Sequence, residues 1–176
     1  MNVKKRTIKA VIVALLMATV CGFTAQAETE EQSEVEIVNE YREILNNMTA
    51  EDFEALSEVV YWESARAACS HDVNVAVVET VMNRVLSPAF PNTVYKVCHQ
   101  KGQFYRKSIP SKASREAIDD AIAQVFVVGR TVLPSVEFNF FATRKQSLGK
   151  DHIWIGELKA NGKPKKGKGM YFCRGK

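Results

Sequence analysis

Val73-Asn74-Val75-Ala76-Val77-Val78-Glu79-Thr80-Val81-Met82-Asn83-Arg84-Val85-Leu86 is the stretch on which the fold turns. Its apolar residues fall on nearly every side of a 3.6-residue period, which marks a helix surrounded by protein rather than one lying on a surface. Asp72 is placed to cap its start and Pro88 to close it. A buried central helix needs neighbours. Upstream, Thr49-Ala50-Glu51-Asp52 opens another helix, with Thr49 as N-cap and a carboxylate three residues on. Phe53, Leu56, Val60, Glu63 and Ala67 follow at spacings of 3, 4, 3 and 4, one helical face. Downstream, residues 88–113 read as a loop-rich connector and Ser114–Val128 as a third helix, ended by Gly129. Glu137–Phe141, Ile153–Ile155 and Met170–Cys173 read as short strands between Gly/Lys loops. The expected fold class is α+β, mainly helical, with a small antiparallel β-sheet.

The chain has 176 residues, 25% charged and 46% hydrophobic, which fits one globular domain plus a tail. Wholesale disorder, a collagen-like repeat and a disulfide-dense mini-protein are excluded. Lys4, Lys5, Arg6 and Lys9 precede an apolar run from Ala10 to Val20, and Ala25-Gln26-Ala27 follows with small residues at the cleavage positions. Residues 1–27 therefore read as a secretory signal peptide, cleaved after Ala27. The apolar run is about half of the roughly 20 residues a membrane span needs. The expected location is the periplasm or the extracellular cell wall, with no stable membrane insertion after cleavage. Without the leader, Lys+Arg falls from 24 to 20 against 20 acids, so the apparent basicity gives no argument for nucleic-acid binding. Residues 28–48 read as an acidic leader or linker, and 49–176 as the folded domain with a basic end.

The charge is unevenly spread. Glu28 to Glu58 carries eleven acids and one base, and Ala142 to Lys176 carries ten bases and two acids. A Lys-rich end on an exported protein suits an anionic polymer such as a bacterial envelope; the other reading is a solvated tail. Export permits disulfides. Cys69, Cys98 and Cys173 allow at most one internal bridge, whose pairing is not readable.

Glu63 is the most informative residue. It falls on the apolar stripe of its helix, where an unpaired carboxylate is costly and its pKa is pushed up. A carboxyl protonated near neutrality is what a general acid for glycosidic cleavage requires. Tyr61 and Trp62 beside it suit a sugar-stacking wall. The competing reading pairs Glu63 with Arg66 or Arg84 in a structural ion pair. Asn83 and Arg84, late in the central helix, suit either a capping role or ligand contact. Glu79 suits a second acid or a solvent-facing position. Gln100 and Gln103 with Phe104 suit an N-acetyl sugar or a pegged loop. Cys69 with His71 and Cys98 with His99 lack a local signature of a thiol enzyme, and no zinc-ligand spacing is present.

Leu56-Ser57-Glu58-Val59-Val60-Tyr61-Trp62-Glu63-Ser64-Ala65-Arg66 resembles the Tyr–x–Glu–Ala–Arg segment of the SleB-like cell wall hydrolases, which include spore cortex-lytic enzymes. Val75 to Val85 is similar to the family's Asn–Arg–Val helix. Phe90-Pro91-Asn92-Thr93-Val94, Val97-Cys98-His99-Gln100 and Gln103-Phe104 follow in the family's order. This chain has Ser64-Ala65-Arg66 after the Glu where the family has Ala-Arg-Gly. Met170 stands where the family's closing motif has His, and Cys173 where it has Tyr. The resemblance covers about residues 49–173. It implies a lysozyme-like catalytic domain cleaving the MurNAc–GlcNAc bond of peptidoglycan, as a lytic transglycosylase or hydrolytic muramidase. It also implies Glu63 as the single catalytic acid; Asn83, Gln103, Tyr61, Trp62 and Phe104 are the candidate glycan contacts. No metal and no cofactor is expected. The expected partners are glycan strands, met by a monomer. The alternative is a non-catalytic peptidoglycan-binding or envelope scaffold protein.

Overall fold

The computed structural model describes residues 36, 38–109, 112–128, 132–144 and 151–174. The expected signal peptide and residues 28–35 and 37 of the acidic leader lie outside the described residues. The part that carries the site is the compact unit Val38–Lys176. In chain order its elements are α1 (38–46), α2 (Ala50–Glu63), a 3-10 turn (Ala65–Ala67), α3 (His71–Leu86), α4 (Val94–Cys98), α5 (Lys112–Ala123), β1 (Phe138–Ala142), β2 (His152–Leu158) and β3 (Pro164–Arg174). The fold is α+β and mainly helical, with one three-stranded antiparallel sheet in the order β1-β3-β2.

The central helix is as buried as its composition demands. Every residue of α3 from Val73 to Arg84 is buried. Its start differs from expectation: the N-cap is Ser70, which makes no side-chain cap bond, and Asp72 sits inside the first turn. There a carboxylate complements the helix dipole without capping. Ser64 Oγ lies 2.7 Å from Asn74 Oδ1 and ties the end of α2 to α3. Between them Ala68 takes a left-handed φ of 51°, the one non-glycine to do so among the described residues. At the start of α2 the capping box is complete: Asp52 N donates to Thr49 Oγ1 at 3.1 Å and Thr49 N to Asp52 Oδ2 at 2.9 Å. Asp52 Oδ1 also accepts from the Tyr95 N–H at 2.7 Å, which docks α4 on α2.

Four readings are corrected. Part of the segment read as linker is the helix α1, whose Tyr41 is 1% exposed and donates to Asn83 Oδ1. The connector contains α4. The third helix starts at Lys112 and gives way to a π-helical turn over Gln124–Val128. The basic end is a strand: Lys165, Lys166 and Lys168 lie in β3, which has eleven residues where four were expected. β3 pairs with both neighbours, and Phe172, opposite Ile153 and Phe141, fills the core beneath. Gly156 and Gly169 face each other across β2 and β3. A Cβ on Gly169 would come 2.3 Å from the Ile155 carbonyl oxygen, so the position admits nothing larger. Among the described residues Cys69 and Cys98 form no disulfide. No helix among the described residues is long and apolar enough to cross a membrane.

Candidate active site

Glu63 is the last residue of α2. The connector is laid across that end by side-chain bonds from α2 and α3. Arg106 pairs with Glu58 at 3.2 Å, and Trp62 Nε1 donates to the Lys107 carbonyl. Arg84 Nη1 donates to Gln103 Oε1 at 3.3 Å. The Tyr105 backbone N–H donates to Glu63 Oε1 at 2.9 Å. Among the described residues Glu63 Oε2 makes no hydrogen bond. One oxygen of the carboxyl is thus oriented by the chain, and the other is left to hold or give a proton.

Burial pushes the Glu63 pKa above the ordinary carboxyl value; the Tyr105 N–H and the Arg84 charge pull it part of the way back. The burial effect is the largest. Arg84 itself is buried, with its pKa lowered to about 10 chiefly by desolvation, so it remains charged at neutrality. Its guanidinium lies over Phe104 at 4.6 Å, Phe90 at 5.0 Å and Phe140 at 5.2 Å. Its Nε donates to the Asn139 carbonyl at 2.7 Å. Three rings and a carbonyl hold the cation in place of water, and the same contacts join the connector to β1. A cleft of about 550 Å³ opens from this cage past Phe90, Asn139, Phe140 and Arg174.

The structure brings together Glu63, Tyr61, Trp62, Gln103 and Phe104 of the expected set. Tyr61 and Trp62 meet edge to face at 5.2 Å. The ion-pair reading with Arg84 is present only as a charge effect, because Arg84 donates to Gln103 and Asn139. Asn83 stands apart. It is fully buried, accepts from Tyr41, and donates to the Phe138 carbonyl at 2.8 Å and the Ser135 carbonyl at 3.4 Å. Its amide fastens β1 to α3 at the inner wall of that cleft. Glu79 is neither solvent-facing nor a partner of Glu63: it is 0% exposed and accepts from Val132 N and Leu133 N at 2.7–3.0 Å. Sequence reasoning missed Tyr105, which reaches Glu63 through its backbone N–H, a group every residue but proline carries. No cluster of metal-ligating side chains occurs among the described residues.

A family profile described as Cell Wall Hydrolase matches residues 70–170, more than half of the chain. The match begins just after Glu63 and includes α3, the connector and most of the sheet. No curated protein and no solved structure matches the chain. With the central helix, the Arg84 cage and the sheet all inside the matched stretch, the chain belongs to the cell wall hydrolase family.

Proposed function

We propose that this cell wall hydrolase is an exported enzyme that cleaves the MurNAc–GlcNAc bond of peptidoglycan, with Glu63 as its single general acid and base. The observation that carries the reading is the state of Glu63. It is a carboxyl whose pKa burial pushes above the ordinary value, with one oxygen fixed by Tyr105 N–H and the other unbonded among the described residues. The proton on Oε2 passes to the oxygen linking the two sugars as the bond breaks. Positive charge then grows at the muramyl C1, and the Glu63 carboxylate left behind is stabilised by the buried Arg84 charge. In the transglycosylase form, Glu63 next takes the proton of the sugar's own C6 hydroxyl, which closes on C1 to give a 1,6-anhydro end. In the hydrolytic form a water is deprotonated instead. A single-carboxylate scheme is favoured because Glu79, the other buried acid of this region, has its oxygens taken by backbone amides.

Gln103, Tyr61, Trp62 and Phe104 line the approach to Glu63 and are assigned to positioning the glycan. Asn83 acts at a distance, by holding β1. Export rests on the cationic, apolar and small-x-small order of residues 1–27; N-terminal sequencing of exported protein tests it, with a new end at Glu28 expected. Mass spectrometry of digested peptidoglycan tests the reaction. Anhydromuramyl ends identify a transglycosylase and reducing ends a hydrolase, whereas no released glycan overturns the proposal in favour of a scaffold.

A further inference from the structure

Arg66 lies in the 3-10 turn three residues after Glu63, with its guanidinium 4.9 Å over the Trp62 ring. No ion pair engages Arg66 among the described residues. Tyr105 packs its ring edge-on to the same indole at 5.1 Å and is 60% exposed. Its backbone meanwhile touches Glu63. The indole between them is immobilised by its bond to the Lys107 carbonyl and by Tyr61. A cation and an exposed aromatic face are therefore both held on one fixed ring at the edge of the site.

We propose that Arg66, seated on Trp62 beside Tyr105, is a specificity-determining residue of the Glu63 site and takes the carboxylate of an acidic amino sugar whose ring rests on Tyr105. This rests on the reading of Glu63 as the acid that acts on glycan. The chemistry fits the parts. A guanidinium over an aromatic ring keeps its edge N–H groups free, and their fork matches a carboxylate. A flat phenol offers an apolar face to the C–H side of a pyranose. Muramic acid carries both features, a pyranose ring and a lactyl carboxylate, wherever no stem peptide is joined to that carboxyl, and N-acetylglucosamine carries only the ring. The pair Arg66–Tyr105 thus favours peptide-free muramic acid beside Glu63. Because Arg66 is exposed, its contribution is modest and salt-sensitive.

The test is a titration of Trp fluorescence in the full chain with the disaccharide GlcNAc–MurNAc. This ligand has no MurNAc–GlcNAc bond, so it is not consumed whether or not Glu63 is the acid. It is compared with the same disaccharide esterified at the lactyl carboxylate. The wild type is expected to bind the acid form about threefold more tightly than the ester at low salt, with the difference shrinking in high salt. Arg66→Gln should abolish that preference while leaving the ester's affinity unchanged. Tyr105→Ala should weaken both forms by a similar factor, about fivefold. Equal binding of acid and ester by the wild type overturns the proposal, as does an Arg66→Gln loss that falls equally on both forms or no binding of either. Retained turnover in Glu63→Gln would instead overturn the assignment of the acid and leave these binding ratios standing on their own.

Discussion

Replacing Glu79 by Gln should remove a pH dependence of stability that the folded protein carries in its core. Glu79 is 0% exposed, and its pKa is raised from 4.5 to about 7 by burial, against the pull of the Leu133 and Val132 N–H groups. The folded state thus holds the Glu79 proton more tightly than the unfolded chain. Between these two values the folded state binds more protons, so stability falls as pH rises through the window. The stabilising contribution is complete below the unfolded value and gone above about pH 7. At about 1.4 kcal/mol per unit the whole change is about 3 kcal/mol. Glu79→Gln keeps a carbonyl for the two amides but has no proton to lose. Its own cost, from the misplaced amide N–H groups, is the same at every pH. Urea denaturation of both proteins at pH 4 and pH 8 isolates the effect, because every other titrating group, Glu63 included, is common to the two. The wild type should lose about 3 kcal/mol more than Glu79→Gln between the two pH values. A loss equal within about 0.5 kcal/mol would show that burial does not govern this carboxyl.

Glu63→Gln should keep the fold while lowering turnover of peptidoglycan about 100-fold or more, the scale of general acid catalysis; turnover within a few-fold of wild type refutes the role. Gly169→Ala places a Cβ 2.3 Å from the Ile155 carbonyl oxygen and 2.6 Å from Trp154. It should cost about 3 kcal/mol of stability, read as a lower melting temperature, and an unchanged melt would mean that the strands separate at no cost. Lys163→Gln with Lys166→Gln removes two exposed charges of the basic segment while sparing Lys165, which pairs with Glu157, and Lys168, whose Nζ donates to the Ala68 carbonyl. Cosedimentation with intact sacculi should weaken at low ionic strength and change little at high salt; equal binding at low salt would reduce these lysines to a solvated edge.

What the sequence made legible is what depends on near neighbours. The all-round apolar pattern of α3 and the Thr49/Asp52 capping box each need only a few consecutive residues, and both are found where they were read. The cap of α3 was misplaced because Asp72 has the right chemistry two residues too late, and Ser70 begins the helix without using its side chain. The length of β3 was hidden because Lys165-Lys166-Gly167-Lys168 has no apolar alternation; part of that strand is held by pairing with β2, a non-local partner. Helix α1 was hidden for a similar reason, since a single buried side chain, Tyr41, fastens an acidic segment to a residue 42 positions away. The stripe that singled out Glu63 ends with it, since Ala67 lies beyond α2 and is exposed. The Tyr105 contact was not legible, because a backbone N–H has no sequence signature.

The polar residues of α3 explain why a buried helix carries charge at all. Glu79, Asn83 and Arg84 recur at spacings that keep them on neighbouring faces, and each binds the incoming chain in order. Glu79 holds Val132 and Leu133, Asn83 holds Ser135 and Phe138, and Arg84 holds Asn139. An apolar face would leave those backbone groups unsatisfied in the core, at roughly 1–3 kcal/mol each. A carboxylate binds only donors and a guanidinium only acceptors, so the three side chains also require backbone N–H and C=O groups to arrive in this order. The helix thereby fixes where β1 begins. Arg84 carries the same registry to the other side, through Gln103 to the connector whose Tyr105 orients Glu63. A fault in the core polar ladder should therefore appear at the active site as misplacement of Glu63, even though Glu79 and Asn83 never touch it.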